Sequence, residues 1–233
     1  MILTIVQARM GSKRLPGKAL ASLHGQPMIW RQLERLRGGR CPTKVVVATS
    51  CEASDDALAA WLVSKGQAVF RGAPTDLLDR FARCAASAGP VSHVVRVKGD
   101  QPFVDARIVD EGIKLALASG ADYVSNREPA TYPMGMEVEV ISAKALQTVA
   151  DAPRETLARV SPTAAIRADD RFSKASFRYG SDQSRHDWRV KTAADLGFAR
   201  SIYAALYPSD PNFGMEDVLD LVGGGVDLGR YAA

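Results

Sequence analysis

Short apolar runs without polar alternation set the strongest limit on what this chain can become. Ile2–Val6 is the first, rich in β-branched residues. Lys44–Thr49, centred on Val45-Val46-Val47-Ala48, is the second. A strand apolar on every residue is buried on both faces, and that fits a parallel sheet covered by helices rather than a half-wet antiparallel one. Helical stretches fall between such runs at short spacing. Gln26–Leu36 carries Ile29, Leu33 and Leu36 on one stripe and stops at Gly38-Gly39. Asp55–Gly66, capped by Ser54 or Asp55, Asp76–Ala88 and Asp105–Ser119 follow, interleaved with strands at Ala68–Phe70, Val91–Val97 and Ala121–Ser125. The alternation predicts an α/β fold with helices on both faces of a mostly parallel sheet.

Beyond Asn126 the pattern changes. Tyr132–Gly135 reads as a turn, Glu137–Ile141 as an exposed or mixed-sheet strand, and Ala143–Ala150 as a helix. Pro153–Ala168 is a weaker helix broken near Pro162. Phe172–Tyr179 and Asp187–Val190 read as strands, and Asp195–Tyr207 and Met215–Val222 as helices. No repeat or long linker divides the chain, so 1–233 is expected to be one domain with an inserted arm at about 127–180.

The first strand opens directly into Gln7-Ala8-Arg9-Met10-Gly11-Ser12-Lys13-Arg14-Leu15-Pro16-Gly17-Lys18. Glycines let a backbone approach a bulky anion and turn its N–H groups inward. Arg and Lys neutralise phosphate charge. A polyphosphate cradle is one reading; a solvated basic loop is the other. The segment is neither G-x-x-x-x-G-K-[ST] nor G-x-G-x-x-G. The net charge of +4, with acidic residues interspersed and no Lys/Arg tract, suits an anionic small ligand better than nucleic acid. Cys41, Cys51 and Cys84 have no C-x-x-C spacing, which points to a reducing, cytoplasmic setting, and no apolar run is long enough to span a membrane.

Ligands of doubly wound sheets sit beyond the C-terminal strand ends. Polar residues gather there in the basic loop, at Thr49-Ser50 with Asp55-Asp56 just beyond, and at Lys98-Gly99-Asp100-Gln101-Pro102. Asp100 follows a strand, and a rigid carboxylate facing a polyphosphate loop calls for Mg²⁺ between them. A turn or cap residue is the plain alternative.

Ile5–Lys18 resembles the signature loop of the cytidylyltransferase family. Val46–Ser50, Phe70-Arg71-Gly72, Gly99–Pro102, Ala121–Asn126 and Tyr132–Val140 fit its spore-coat polysaccharide branch. The resemblance implies a nucleotide-diphospho-sugar transferase fold. It also implies CTP, an anionic sugar or phosphorylated or phosphonylated acceptor, a homodimer and release of pyrophosphate. It assigns Gln7, Ala8, Arg9, Gly11, Ser12, Arg14, Lys18, Thr49 and Ser50 to the nucleotide. Asp100 is assigned to the metal. Arg9, Arg14, Lys18, Asp100 and Lys191 are assigned to catalysis, and Tyr132, Glu137, Glu139 and Arg159 to the acceptor.

Two segments depart from the pattern. Where the family reads Thr-Val-Asp-Thr-Pro-Glu-Asp, with a metal ligand third, this chain reads Arg189-Val190-Lys191-Thr192-Ala193-Ala194-Asp195. Either Lys191 supplies positive charge itself, or Asp187 or Asp182 reaches in, or nucleotidyl transfer is weak. Ala158-Arg159 stands where the branch has an acid–histidine pair. It reads either as a more cationic acceptor pocket or as a solvated or interface arginine.

Overall fold

A computed structural model describes residues 1–152 and 159–225. The expected parallel core is present. Strands β1 (Ile2–Gln7), β4 (Thr43–Ser50), β5 (Val69–Gly72) and β6 (His93–Lys98) run parallel in the order β5-β4-β1-β6. In register, Gln7 lies between Ala48 and Lys98, so β1 and β6 end level with one another and β4 runs two residues further, to Ser50. A two-strand ribbon, β2 (Ser22–Leu23) with β3 (Gln26–Pro27), sits apart from the sheet.

The sheet continues as β8-β7-β9. Strands β7 (Tyr123–Ser125) and β9 (Lys174–Ser176) pair in parallel, and β8 (Glu139–Ser142) runs antiparallel between β6 and β7. The stretch from 127 to 180 therefore contributes two strands to the main sheet. β8 is the mixed-sheet strand expected, but it is not exposed: Glu139, Val140 and Ile141 are buried. Asp187–Val190 forms no strand and makes only a single bridge, from Asp187 to Met134. Val190 spends its own N–H and C=O on Asp100 and Lys18 instead of on a neighbouring strand.

Alternate residues of each strand feed two separate apolar clusters, as the pleat requires. Val6, Val47, Val95, Val97 and Val140 face helices α1 (Met28–Arg37), α2 (Asp56–Ser64), α4 (Ala106–Ser119), α7 (Ala193–Leu206) and α8 (Met215–Gly223). Leu3, Ile5, Val46, Val94 and Ile141 face α3 (Leu77–Ser87), α5 (Ala143–Asp151) and α6 (Ala164–Ala168). The result is a three-layer αβα sandwich. Of the weaker helical stretch at Pro153–Ala168, α6 forms after Pro162, and 153–158 lie outside the described residues.

Candidate active site

The basic loop is folded by its own backbone. The Met10 carbonyl accepts the N–H groups of Ser12 and Gly17 at 2.9 and 3.0 Å. Gly17 takes φ 76°, a left-handed conformation that glycine tolerates without strain. The Met10 N–H donates to Asp55 Oδ1 at 2.6 Å. Asp55 precedes α2 but does not cap it; Ser50 donates to it from N–H and hydroxyl at 3.0 and 2.5 Å. Burial alone would raise the Asp55 carboxyl, but these donors outweigh it and hold the group below its ordinary range. Asp55 thus ties the loop after β1 to the end of β4. In the sequence Asp55 reads as a residue near the sheet edge and a candidate cap of α2; the signal for a tether is a carboxylate five residues beyond a strand-end serine.

Thr49 and Ser50 lie beneath this tether, at 0% and 1% exposure. They support the loop from behind and do not line the cavity in front of it. That cavity holds about 380 Å³ and is lined by Gln7, Ala8, Arg9, Ser12, Arg14 and Lys18 on one side and Lys98, Gly99 and Asp100 on the other, with Lys13 at its edge. Gly11 faces open space. The loop at the end of β6 reaches β1 through the Gly99 N–H, which donates to Gln7 O at 2.8 Å. A Cβ on Gly99 would lie 2.8 Å from Ala8 Cβ, so glycine is needed here for close approach rather than for φ.

Lys18 crosses the cavity. Its Nζ donates to Val190 O at 2.7 Å and pairs with Asp100 Oδ2 at 3.6 Å. Burial lowers the Lys18 pKa below the ordinary lysine value, with Asp100 opposing the shift. Among the described residues Asp100 Oδ1 is buried without a hydrogen-bond partner. Lys98, part of the strand-end segment read from the sequence but given no role there, ends β6 and lines the cavity; among the described residues its Nζ has no ion-pair partner. Gln101 locks the turn, accepting the Lys98 N–H at 2.9 Å and donating to Glu137 at 2.7 Å. Glu137 also accepts the Gly135 N–H at 2.8 Å.

A strap at residues 186–191 runs beside this turn. Met134 N–H donates to His186 O and Trp188 N–H returns to Met134 O, each at 2.8 Å, while Val190 N–H reaches Asp100 O at 2.9 Å. Lys191 Nζ lies 2.5 Å from Asp187 Oδ2, and Arg189 holds the same carboxylate at 2.7 and 2.8 Å. These cations hold the Asp187 carboxyl far below the usual range. Asp182 accepts the Ser184 N–H on an exposed turn. Among the described residues no group of three His, Cys, Asp or Glu side chains is placed to hold a metal ion.

The remaining acceptor-side residues do not share the cavity. Glu139 is buried against Arg96 at 2.5 Å, accepts from Tyr123 Oη at 2.7 Å and lies 3.7 Å from Arg127. Tyr132 donates to Glu111 at 3.2 Å and packs on Phe177. Arg159 pairs with Asp76, the residue that caps α3, at 2.5 Å. Glu137 alone of the four is connected to the Asp100 turn.

The family model described as Cytidylyltransferase matches residues 3–195. The chain belongs to the cytidylyltransferase family. The spore coat polysaccharide biosynthesis protein SpsF of Bacillus subtilis (strain 168) is 38% identical over 153 residues, covering 62% of this chain and 60% of that protein. The chain therefore spans less than two thirds of SpsF. A 3-deoxy-manno-octulosonate cytidylyltransferase of Aeromonas hydrophila is 31% identical over 191 residues, covering 78% of this chain and 71% of that protein. Among solved structures, a cytidylyltransferase from Leptospira borgpetersenii superposes with a TM-score of 0.90 at 25% identity, covering 97% of this chain and 95% of that one. CMP:2-keto-3-deoxy-manno-octonic acid synthetase complexed with CTP shares the fold, with a TM-score of 0.66 at 18% identity over 87% of this chain and 98% of that one. Among the described residues, no helix is long and apolar enough to cross a membrane.

Proposed function

We propose that this cytidylyltransferase moves CMP from CTP to an anionic small-molecule acceptor and releases pyrophosphate. The observation that carries the reading is the cation-lined cavity at the joined ends of β1 and β6, with Asp100 on its far wall. An acceptor oxygen attacks the α-phosphorus, the bond from that phosphorus to the bridging oxygen breaks, and pyrophosphate leaves with the electron pair. Such transfer asks mainly for alignment and charge stabilisation. Arg9 and Arg14, with no ion-pair partner among the described residues, take the charge of the triphosphate and the leaving group. Lys18 spans from the loop to Asp100 and draws the two walls together around the ligand. Ala8 and Gly99 give the nucleoside a backbone-walled seat.

The donor set suits Mg²⁺ held chiefly by substrate. Asp100 offers one buried, unpartnered carboxylate oxygen, and a Mg²⁺ ion commonly takes one or two carboxylates plus phosphates and water. Asp100 would hold it, and bound there it would supply charge neutralisation at the phosphates. Asp187 is already committed to Arg189 and Lys191. Spore-coat-type polysaccharide synthesis and a homodimer built through residues 127–180 belong to the same proposal.

One observation favours a weaker reading, that of a nucleotide-binding protein with little turnover. Two carboxylates near the cavity are engaged by lysines, Asp100 by Lys18 and Asp187 by Lys191. The deciding experiment is pyrophosphate release from each of the four nucleoside triphosphates, with Mg²⁺ or Mn²⁺. The acceptor panel would contain nonulosonic acids, sugar phosphates and small phosphonates. Release with CTP and one acceptor class supports the transferase. Tight CTP binding with no release across the panel supports the weaker reading, and a preference for another nucleotide removes CTP from the proposal.

A further inference from the structure

A second cavity, of about 450 Å³, opens where the C-terminal end of α1 meets the start of α4. It shares no lining residue with the first. Four cationic side chains line it, Arg35, Arg40, Arg107 and Lys114, against two carboxylates, Asp105 and Asp110.

Both carboxylates are already satisfied. Asp110 accepts the N–H groups of Arg40 and Cys41 at 2.7 and 2.9 Å. Asp105 caps α4 through the Arg107 N–H, pairs with the Arg107 guanidinium and accepts the Met215 N–H at 3.0 Å. The cations are less well served. Among the described residues Arg40 and Lys114 have no ion-pair partner. Arg35 is 7% exposed and donates from Nε and Nη2 to the carbonyls of Val104, Phe103 and Phe213. Among the described residues its Nη1 is buried with no hydrogen-bond partner, and the guanidinium lies over the Phe213 ring at 4.4 Å. Four cations against two carboxylates that are already engaged leave the cavity with a net positive field, which a small anion neutralises.

We infer that this second cavity binds a small phosphate-class oxyanion, seated between Arg35, Arg40 and Lys114 at the start of α4. The site also touches the catalytic loop by a short route. Gln32, one turn before Arg35 on α1, donates to the carbonyls of Lys98 and Gln101, while Arg35 holds those of Phe103 and Val104. One helix face therefore grips the whole segment that carries Asp100. An anion on Arg35 stiffens that segment from behind without entering the first cavity.

The test is calorimetric titration of the full chain with inorganic phosphate. Three proteins are compared: wild type, Arg40→Gln/Lys114→Gln, and Arg9→Gln/Arg14→Gln. The double change at Arg40 and Lys114 alters exposed side chains only, and circular dichroism checks that it folds. Wild type is expected to show two classes of phosphate site. R40Q/K114Q should weaken one class about tenfold, two exposed charge contacts being worth about 0.7 kcal/mol each, and leave CTP binding unchanged. R9Q/R14Q should weaken the other class. A single class abolished by R9Q/R14Q overturns the inference, as does wild-type phosphate binding in R40Q/K114Q. The result is independent of turnover, so a protein inactive with every acceptor can still pass or fail it.

Discussion

Gly99→Ala tests the seam that builds the first cavity. The added methyl carbon would stand 2.8 Å from Ala8 Cβ, 2.9 Å from Gln7 O and 3.1 Å from Ala8 Cα. Carbon atoms in ordinary contact are about 3.5–4.0 Å apart, so the ends of β1 and β6 must part by close to an ångström. Two of the three obstructing atoms are backbone, so no rotamer change relieves the clash. Overpacking of this kind costs about 1–3 kcal/mol. Against it stands the gain from restricting the unfolded chain, about 0.4–1 kcal/mol. The expected net loss is about 0–2.6 kcal/mol, read as a lower urea midpoint at unchanged slope. Function should suffer more than stability. Asp100 is the next residue, and misplacing a reacting group by about 1 Å can lower turnover roughly a hundredfold. Ala8→Gly added to Gly99→Ala removes only the 2.8 Å contact, so rescue should be partial. A Gly99→Ala protein with wild-type urea midpoint and wild-type kcat/KM would refute the close-approach argument.

Asp55→Asn should lower stability by about 2 kcal/mol, since charged hydrogen bonds are worth about 1.5–3 kcal/mol each and an amide keeps only part of the set. It should also raise the KM for CTP by loosening Met10; unchanged nucleotide affinity would deny the tether its role. Glu139→Gln strands Arg96 in the core, at a cost of about 3–5 kcal/mol and a fall in Tm of about 6–20 °C. A normal Tm with a raised acceptor KM would instead make Glu139 a substrate contact. Asp100→Asn should reduce metal-dependent turnover by roughly a hundredfold or more with Tm within a few degrees of wild type, and a wild-type rate would remove Asp100 from the metal. Asp55 and Glu139 both keep carboxyls depressed below their unfolded values near 4. Their contribution is therefore present above about pH 4 and lost as pH falls through the lower folded values. Acid unfolding monitored by circular dichroism should become shallower in the Asp55→Asn and Glu139→Gln proteins.

The parallel half of the sheet was legible because runs such as Val45–Ala48 admit no wet face. The basic loop was legible because its chemistry is local: cations and glycines on the heels of a strand. What escaped depends on partners distant in sequence. Glu137–Ile141 reads as an exposed or mixed-sheet strand because alternation with β-branched residues normally signals a half-exposed one; the burial of Glu139 needs Arg96, 43 residues earlier, to neutralise it. Asp55 looked like a helix cap because the donors it serves, on Met10 and Ser50, come together only when β1 and β4 lie side by side. Asp187–Val190 had the composition of a strand, but its polar backbone groups are taken by a turn and a lysine on other elements.

Strand β8 runs against its neighbours, and the direction has an evolutionary corollary. β7 ends, and β8 begins, at the same margin of the sheet where β1 and β6 end. The intervening residues, 126–138, bridge that margin beside the turn that carries Asp100, joined to it by Gln101 and Glu137 and pinned at their base by Asn126, which donates to Met136 O and accepts the Val138 N–H. Lengthening or shortening such a span changes its closure entropy only slowly. The chain can therefore be re-tailored at one hairpin-like span while the basic loop after β1, folded by its own backbone, stays untouched.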